Sequence, residues 1–414
     1  MADKESTLSV LHNIPIFRLS LGSKELFHSN FLEYLWDCDK NCFITMIRNI
    51  FGDDGLFSES GKYFLSREKE NFDICIYHTT GETEDGTPIY DLILENKVKS
   101  IPYKEQLAEY VKKVEAKRKN GNNAPVYVLL SLAKIFPDKD DNSDTISVCV
   151  DGHSAGWKVI NYNKLKDLIN GQQAWMDKPY VPDYCSFIEA LDKLGNEILD
   201  SIEEKPIFDK SEVISFKNER LHDLYIKMRC SWFAARLKEA LSSDRFPTKI
   251  INRYEEREYD VVNLNVAMNQ GNGQIAAWIC DRNCDKDGKN IANTFEIVIQ
   301  GNQYRHGINQ MSVTVSNVGK KRLNDLYSRL KDDPAYSDAF SFLNFNTSDH
   351  VYPNETKFHR QEKGKDKIKK TGPFDCYGES YIYRYEKIDG CLTGDLLKKM
   401  LKDIEKIFKQ IPNL

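Results

Sequence analysis

Between residues 71 and 97 two short apolar runs carry charge in their interiors. The first is Asn71-Phe72-Asp73-Ile74-Cys75-Ile76 and the second is Tyr90-Asp91-Leu92-Ile93-Leu94-Glu95-Asn96-Lys97. Side chains alternate across a strand, so Glu95 and Lys97 share one face of the second run while Leu94 and Asn96 take the other. Between the runs lies Thr79 to Pro88, a polar stretch with two glycines and a proline, which predicts a hairpin with a long loop. Opposite charges inside a buried strand are costly unless they are paired or hold a metal, so this hairpin invites a functional explanation.

The rest of the first half supplies the frame for that hairpin. Phe27, Phe31, Leu32, Leu35 and Trp36 recur at helical spacing over residues 24–37, and a second helix is expected near 42–51. After the hairpin, Leu107, Tyr110, Val111 and Val114 mark one side of a helix from 104 to about 119. Pro125 to Leu132 is a continuous apolar run of the kind found in a central strand covered on both faces. A strand around Trp157-Ile160, a helix near 165–169 and a helix over 187–202 follow. This order predicts an α/β sandwich with a mixed sheet.

At 414 residues the chain exceeds the size at which one core keeps growing, so two domains are expected, divided at Glu203-Glu204-Lys205-Pro206 into 1–204 and 205–414. The second is expected to be α+β: a helix over 218–241, strands near 259–268, 274–281, 294–300 and 310–315, a helix near 321–331 and a final helix over 396–410. Apolar residues make up 41% of the chain and charged residues 29%, a globular composition. No apolar run reaches the ~20 residues of a membrane helix and the start lacks a signal pattern, so a cytoplasmic, membrane-free protein is expected. The net charge of -5 argues against a polycation, yet an enzyme can confine positive charge to one groove. Ten cysteines are scattered without the spacing of a disulfide scaffold. Cys280-Asp-Arg-Asn-Cys284 lacks a second ligand pair and reads as non-metal.

As chemistry, Asp73, Glu95 and Lys97 are the parts of a metal-dependent phosphodiesterase centre. Two carboxylates from neighbouring strands suit Mg²⁺, which favours oxygen ligands and keeps several waters. A lysine beside them orients water or steadies developing negative charge.

These residues resemble the PD-(D/E)xK nuclease superfamily, whose signature is an acid on one strand and Glu-x-Lys on the next. The likeness extends further. Arg67-Glu68 followed by Asn71-Phe72-Asp73-Ile74 is similar to a conserved stretch of one bacterial branch, with Lys69 in place of its aromatic, and Ile93-Leu94-Glu95-Asn96-Lys97 resembles that branch's Ile-Glu-Asn-Lys. Gln106 and Tyr110 match its Gln-x-x-x-Tyr helix, and Glu25-Leu26-Phe27-His28-Ser29 its opening helix. Asp73 lacks the preceding proline common in the superfamily. The likeness covers about the first 200 residues.

The resemblance implies a restriction-endonuclease-like mixed sheet flanked by helices, followed by the α+β domain. It implies a nuclease using Mg²⁺ or Mn²⁺, with DNA as the expected substrate and restriction, repair or phage defence as the setting. Asp73, Glu95 and Glu25 are then the metal ligands, Lys97 the activating cation, and Gln106 and Tyr110 the organisers of the site. A homodimer or a defence-system partner is compatible with that role. The alternative is a non-catalytic nucleic-acid- or partner-binding protein on the same fold.

Several residues have plainer readings. Asp91 shares the parity of Glu95 and rivals Asp73 as the second acid. Glu25 is also a first-turn helix acid of the kind the macrodipole favours. Glu68 reads as a solvated charge or a further ligand, and His28 as a packed histidine rather than a base. The basic run containing Lys357, Arg360, Lys363, Lys365 and Lys367 is by default a solvated loop, and in a nuclease a set of phosphate contacts. Gln303-Tyr304-Arg305-His306 reads either as a polar-aromatic cluster for nucleic acid or as a surface turn.

Overall fold

The computed structural model describes residues 2–20, 25–58, 61–80, 86–98, 104–118, 123–132, 144–150, 152–242, 249–251, 258–260, 262–269, 271–280, 291–312, 375–377 and 381–410. These residues divide into two compact units, one of Met1–Asp200 with Lys210–Trp232, the other of Ser201–Asp209 with Phe233–Leu414. The stretch 201–209, which contains the expected boundary, thus groups with the second unit, and the chain returns to the first before leaving it within a helix.

In the first unit, helices α1 (Ala2–Asn13), α2 (Pro15–Leu19), α3 (Glu25–Cys38) and α4 (Lys40–Phe51) precede a six-stranded sheet. Its strands are β1 (Phe64–Arg67), β2 (Ile74–Thr79), β3 (Pro88–Lys97), β4 (Val126–Ser131), β5 (Thr145–Val150) and β6 (His153–Asn161), in the order β1-β2-β3-β4-β6-β5. β1, β2 and β3 run antiparallel, β3, β4 and β6 run parallel, and β5 returns antiparallel on β6. Helix α5 (Lys104–Glu115) makes the crossover between β3 and β4 that a parallel pair requires. Helices α6 (Tyr162–Asn170), α7 (Gln173–Met176), α8 (Val181–Leu199), α9 (Lys210–Asn218) and α10 (His222–Leu241) follow. This is the expected mixed sheet flanked by helices.

Local chemistry explains the helix ends that frame the sheet. Asp39 caps α4, its Oδ1 accepting from Asn41 N at 2.9 Å and Cys42 N at 3.0 Å, and Gly52 closes it in the left-handed conformation at φ 63°. Asn161 caps α6 by accepting from Lys164 N at 2.8 Å. One apolar layer lies between the sheet and α5, where Phe72, Ile93, Leu107, Val111, Leu129 and Trp157 are buried together. Ile74, Ile76, Leu92, Leu94, Val128 and Leu130, of opposite parity, are buried as well, and α3 packs against β3. With both faces covered, β3 and β4 have the continuous apolar character of central strands.

The second unit holds a six-stranded antiparallel sheet in the order β13-β14-β12-β11-β10-β9, with a separate β7 (Lys249–Ile251) and β8 (Glu258–Asp260) pair. Its strands are β9 (Val262–Asn269), β10 (Asn272–Cys280), β11 (Ile291–Gln300), β12 (Gln303–Ser312), β13 (Asp375–Tyr377) and β14 (Tyr381–Lys387), and helix α11 (Thr393–Gln410) ends it.

Some expectations shift. The helix expected over 218–241 begins at His222, and a separate helix, α9, precedes it, the two divided at Arg220, whose φ of 59° is left-handed. The strand expected at 310–315 begins at Gln303, so Gln303-Tyr304-Arg305-His306 is a strand segment rather than a surface turn. The short strands β1, β5, β13 and β14 and helices α1 and α2 are additions. The helix near 321–331 and the basic run of Lys357, Arg360, Lys363, Lys365 and Lys367 lie outside the described residues, as do residues 281–284 of the Cys280–Cys284 stretch.

Candidate active site

The antiparallel pairing of β2 with β3 opens at Ile74, opposite Leu94, so Asp73 stands at the entry to β2, beside Glu95 and Asn96. Glu95 shares the parity of Ile93 and faces α5, and the Asp73 charge lies close enough to raise it. The bond that fixes Asp73 is local to this register: its Oδ2 accepts from the backbone N–H of Asn96 at 2.7 Å. Sequence spacing alone brings Lys97 to the same face, and its Nζ lies 2.6 Å from Glu95 Oε1.

From α5, Gln106 and Tyr110 reach the same oxygen, one helical turn apart. Gln106 Nε2 and the Tyr110 hydroxyl each donate to Glu95 Oε1 at 3.3 Å, and Gln106 Nε2 also donates to Tyr110 Oη at 3.0 Å. Glu95 Oε1 therefore gathers three donors. Its other oxygen, Oε2, is buried and, among the described residues, has no hydrogen-bond partner. A carboxylate that is 1% exposed and half satisfied is an expensive arrangement.

The electrostatics follow from that burial. Desolvation pushes Glu95 up to about 7, the nearby Asp73 charge adds to the rise, and Lys97 and Tyr110 oppose it. Asp73 is pushed up to about 6, again chiefly by burial, with the Asn96 N–H and Lys97 working against the rise and the carboxylates of Glu25 and Glu68 adding to it. For Lys97 burial works downward but is outweighed by Glu95, Glu25 and Asp73, so the ammonium is held above its usual range. The centre is thus a cation surrounded by more carboxylate than it can neutralise.

Glu25 opens α3, and the carbonyl of that same residue is held at the end of β3, where Asn96 Nδ2 donates to it at 2.8 Å. Glu68 sits in the link between β1 and β2 in a left-handed conformation, as do Glu70 and Asn71. Three such non-glycine residues within four positions store strain directly before Asp73. Glu70 is braced by an ion pair with Lys117, and its carbonyl accepts from Lys113 Nζ at 3.5 Å.

The other candidate residues take different places. Asp91 does not share the face of Glu95, because β3 bulges there: Ile76 pairs with Leu92 while Tyr77 pairs with Tyr90, leaving Asp91 as the extra residue. The bulge brings Tyr90 into the layer of Ile93, and Asp91 Oδ2 instead pairs with His78 Nδ1 at 2.8 Å. His28 is fully buried, lies 3.0 Å from Tyr184 Oη, stacks on Phe187, and is pushed down to about 3 by burial. It is a neutral packed histidine. Tyr304 and His306 in the second unit turn inward to Asp403, at 2.9 and 3.0 Å, and Arg305 lies over the ring of Tyr383. Asn96, fully buried on the face opposite Glu95, had no role assigned from sequence. Its signal was an amide inside an apolar run.

Two oxygen-donor side chains on adjacent strands, one with a buried oxygen lacking a partner, fit a hard divalent cation that takes most of its shell from water and substrate. Among the described residues no group of three or more His, Cys, Asp or Glu side chains is already assembled as a metal cage. The fold and the charged hairpin together define a restriction-endonuclease-like protein. Residues 16–177, which contain every element of this site, match the family model of the PD-(D/E)XK nuclease superfamily. No curated protein and no solved structure matches the chain. No described helix is long and apolar enough to cross a membrane.

Proposed function

We propose that the first unit is a divalent-metal-dependent nuclease that hydrolyses phosphodiester bonds in DNA. The observation that carries this reading is the divided Glu95 carboxylate, with Oε1 held by Lys97, Gln106 and Tyr110 and Oε2 buried without a partner. In this reading Asp73 and Glu95 hold Mg²⁺ or Mn²⁺, with Glu25 as a third acid at the edge of the site. Such a cation, when bound, polarises a phosphate oxygen and makes its water more acidic.

The chain's own groups do the rest. Lys97 exchanges its contact with Glu95 for the attacking water or a phosphate oxygen, where its ammonium steadies the negative charge carried by the phosphoryl oxygens. Gln106 and Tyr110 keep Glu95 oriented while Lys97 moves. Restriction, repair or defence against phage is the setting, and the second unit serves to bind substrate or a partner, with Lys357, Arg360, Lys363, Lys365 and Lys367 as phosphate contacts.

The test is cleavage of supercoiled plasmid, linear duplex and single-stranded DNA with Mg²⁺ or Mn²⁺. Cutting by the native chain that disappears in Glu95→Ala and Lys97→Ala supports the assignment. DNA binding that is indifferent to metal and never leads to cutting would identify a non-catalytic binder instead.

A further inference from the structure

We infer that Asn96 is a positioning residue of the metal centre, which ties the first turn of α3 to the end of β3 and so sets where Glu25 stands. This rests on the nuclease reading above and extends it to a residue on the opposite face of the strand.

The geometry leaves Asn96 one way to satisfy its amide. Glu25 O can only accept a hydrogen bond, so the nitrogen must face it, at 2.8 Å. The same Nδ2 lies 3.4 Å from Ser29 Oγ, which itself donates to Glu25 O at 3.3 Å. Oδ1 then faces α6, where the Tyr162 hydroxyl donates to it. Meanwhile the backbone N–H of the same residue holds Asp73. One residue therefore joins three elements: the strand that carries Glu95 and Lys97, the segment that carries Asp73, and the helix that carries Glu25.

Asparagine carries its donor and its acceptor on separate atoms, so it can serve the carbonyl and the phenol at once. Aspartate would set an oxygen against Glu25 O, and leucine would leave the Tyr162 hydroxyl without its acceptor and remove the link between β3 and Glu25 O, which would keep only its bond from Ser29. Asn96 and Tyr162 are both fully buried, so water cannot replace the lost bonds. Partners that orient ligating side chains typically cost 10–100-fold in metal affinity when removed.

The experiment is calorimetric titration of Mn²⁺ into the full-length chain without nucleic acid, for the native protein, Glu25→Gln, Asn96→Ala and the double variant. If Asn96 acts through Glu25, each single change weakens Mn²⁺ binding roughly tenfold. The double variant is then no weaker than the poorer single one. Thermal unfolding of each variant identifies any that fail to fold. Tyr162→Phe keeps the volume, frees only Asn96 Oδ1, and supplies the same test if Asn96→Ala is too unstable: a loss of a few-fold in the native background and none beside Glu25→Gln.

Losses that multiply in the double variants, or Mn²⁺ affinity unchanged in Tyr162→Phe and Asn96→Ala, would overturn the role of Asn96. In that event a native chain that binds Mn²⁺ and cuts DNA leaves the nuclease reading standing. A native chain that binds no Mn²⁺ overturns both.

Discussion

Glu95 in the first unit and Asp403 in the second are both buried carboxylates on elements packed in a sheet-and-helix layer, yet they are held in opposite ways. Asp403 Oδ2 accepts from the Tyr304 hydroxyl at 2.9 Å and lies 3.0 Å from His306 Nε2, while Lys406 stands 3.8 Å from Oδ1. Burial works to raise its pKa, but His306, Lys399 and Tyr304 outweigh it and hold the carboxyl below its ordinary range. Glu95 has one oxygen crowded with donors and one with none, and is raised to about 7. Asp403 fastens α11 to β12. Glu95, with one oxygen unsatisfied among the described residues, carries a desolvation cost that its contacts do not offset.

The sharpest way to break this comparison is to remove each charge in turn. On the nuclease reading, Lys97→Ala and Glu95→Ala lower DNA cleavage by at least ~100-fold, the scale of losing a group that stabilises transition-state charge. Asp403→Ala leaves the rate per folded molecule unchanged and is read in stability instead. Leaving Tyr304 and His306 without their acceptor costs roughly 3 kcal/mol, measured by denaturant unfolding. A cleavage defect in Asp403→Ala at full folding would mean that its cluster does more than hold a helix.

The two carboxylates also predict opposite pH dependences. Glu95 and Asp73 are raised in the folded state, to about 7 and about 6. The metal-free fold then holds more protons there than the unfolded chain, and these groups make it less stable as pH rises from about 4 through 7. Protons compete with the cation, so Mn²⁺ affinity should climb between pH 5.5 and 8, by up to about tenfold per pH unit for each proton released. Calorimetry in buffers of different ionisation enthalpy counts those protons. Asp403, being lowered, contributes stability at neutral pH that is lost as pH falls through its folded pKa.

Smaller effects sharpen the same contrast. Asp73→Asn should stabilise the metal-free protein at pH 8, by on the order of 1 kcal/mol, because a buried charge is removed while an oxygen remains for the Asn96 N–H. A drop in thermal midpoint there would show that Asp73 is a structural acid like Asp403. The smallest expected change is Tyr110→Phe, which removes one 3.3 Å bond to Glu95 Oε1 and should slow cleavage only a few-fold, since Gln106 still holds that oxygen.

Much of this site was legible before any coordinates. The charged hairpin, the helix bearing Gln106 and Tyr110, and the buried run of β4 all follow from periodicity. Harder to read were β1, of only four residues, and β5, whose Thr145-Ile146-Ser147-Val148 alternation was passed over. The packing of His28 was anticipated. The parity argument for Asp91 failed because it assumed an unbroken strand, and the bulge that displaces it has no local mark in the apolar run.

What the sequence determined by itself was which residues share a face. That depends on a backbone period of two or 3.6, a property of contiguous residues. The tertiary structure decided which of those faces meet. It tied Asp73 to the Asn96 N–H beside Glu95, turned Asp91 to His78, bound Glu25 to Asn96 across 71 positions, and left Glu95 Oε2 without a partner among the described residues while Asp403 Oδ2 meets Tyr304 and His306. Register, bulges and long-range hydrogen bonds are fixed only when distant segments pack, because a donor's alternatives are excluded by burial and not by its neighbours in the chain.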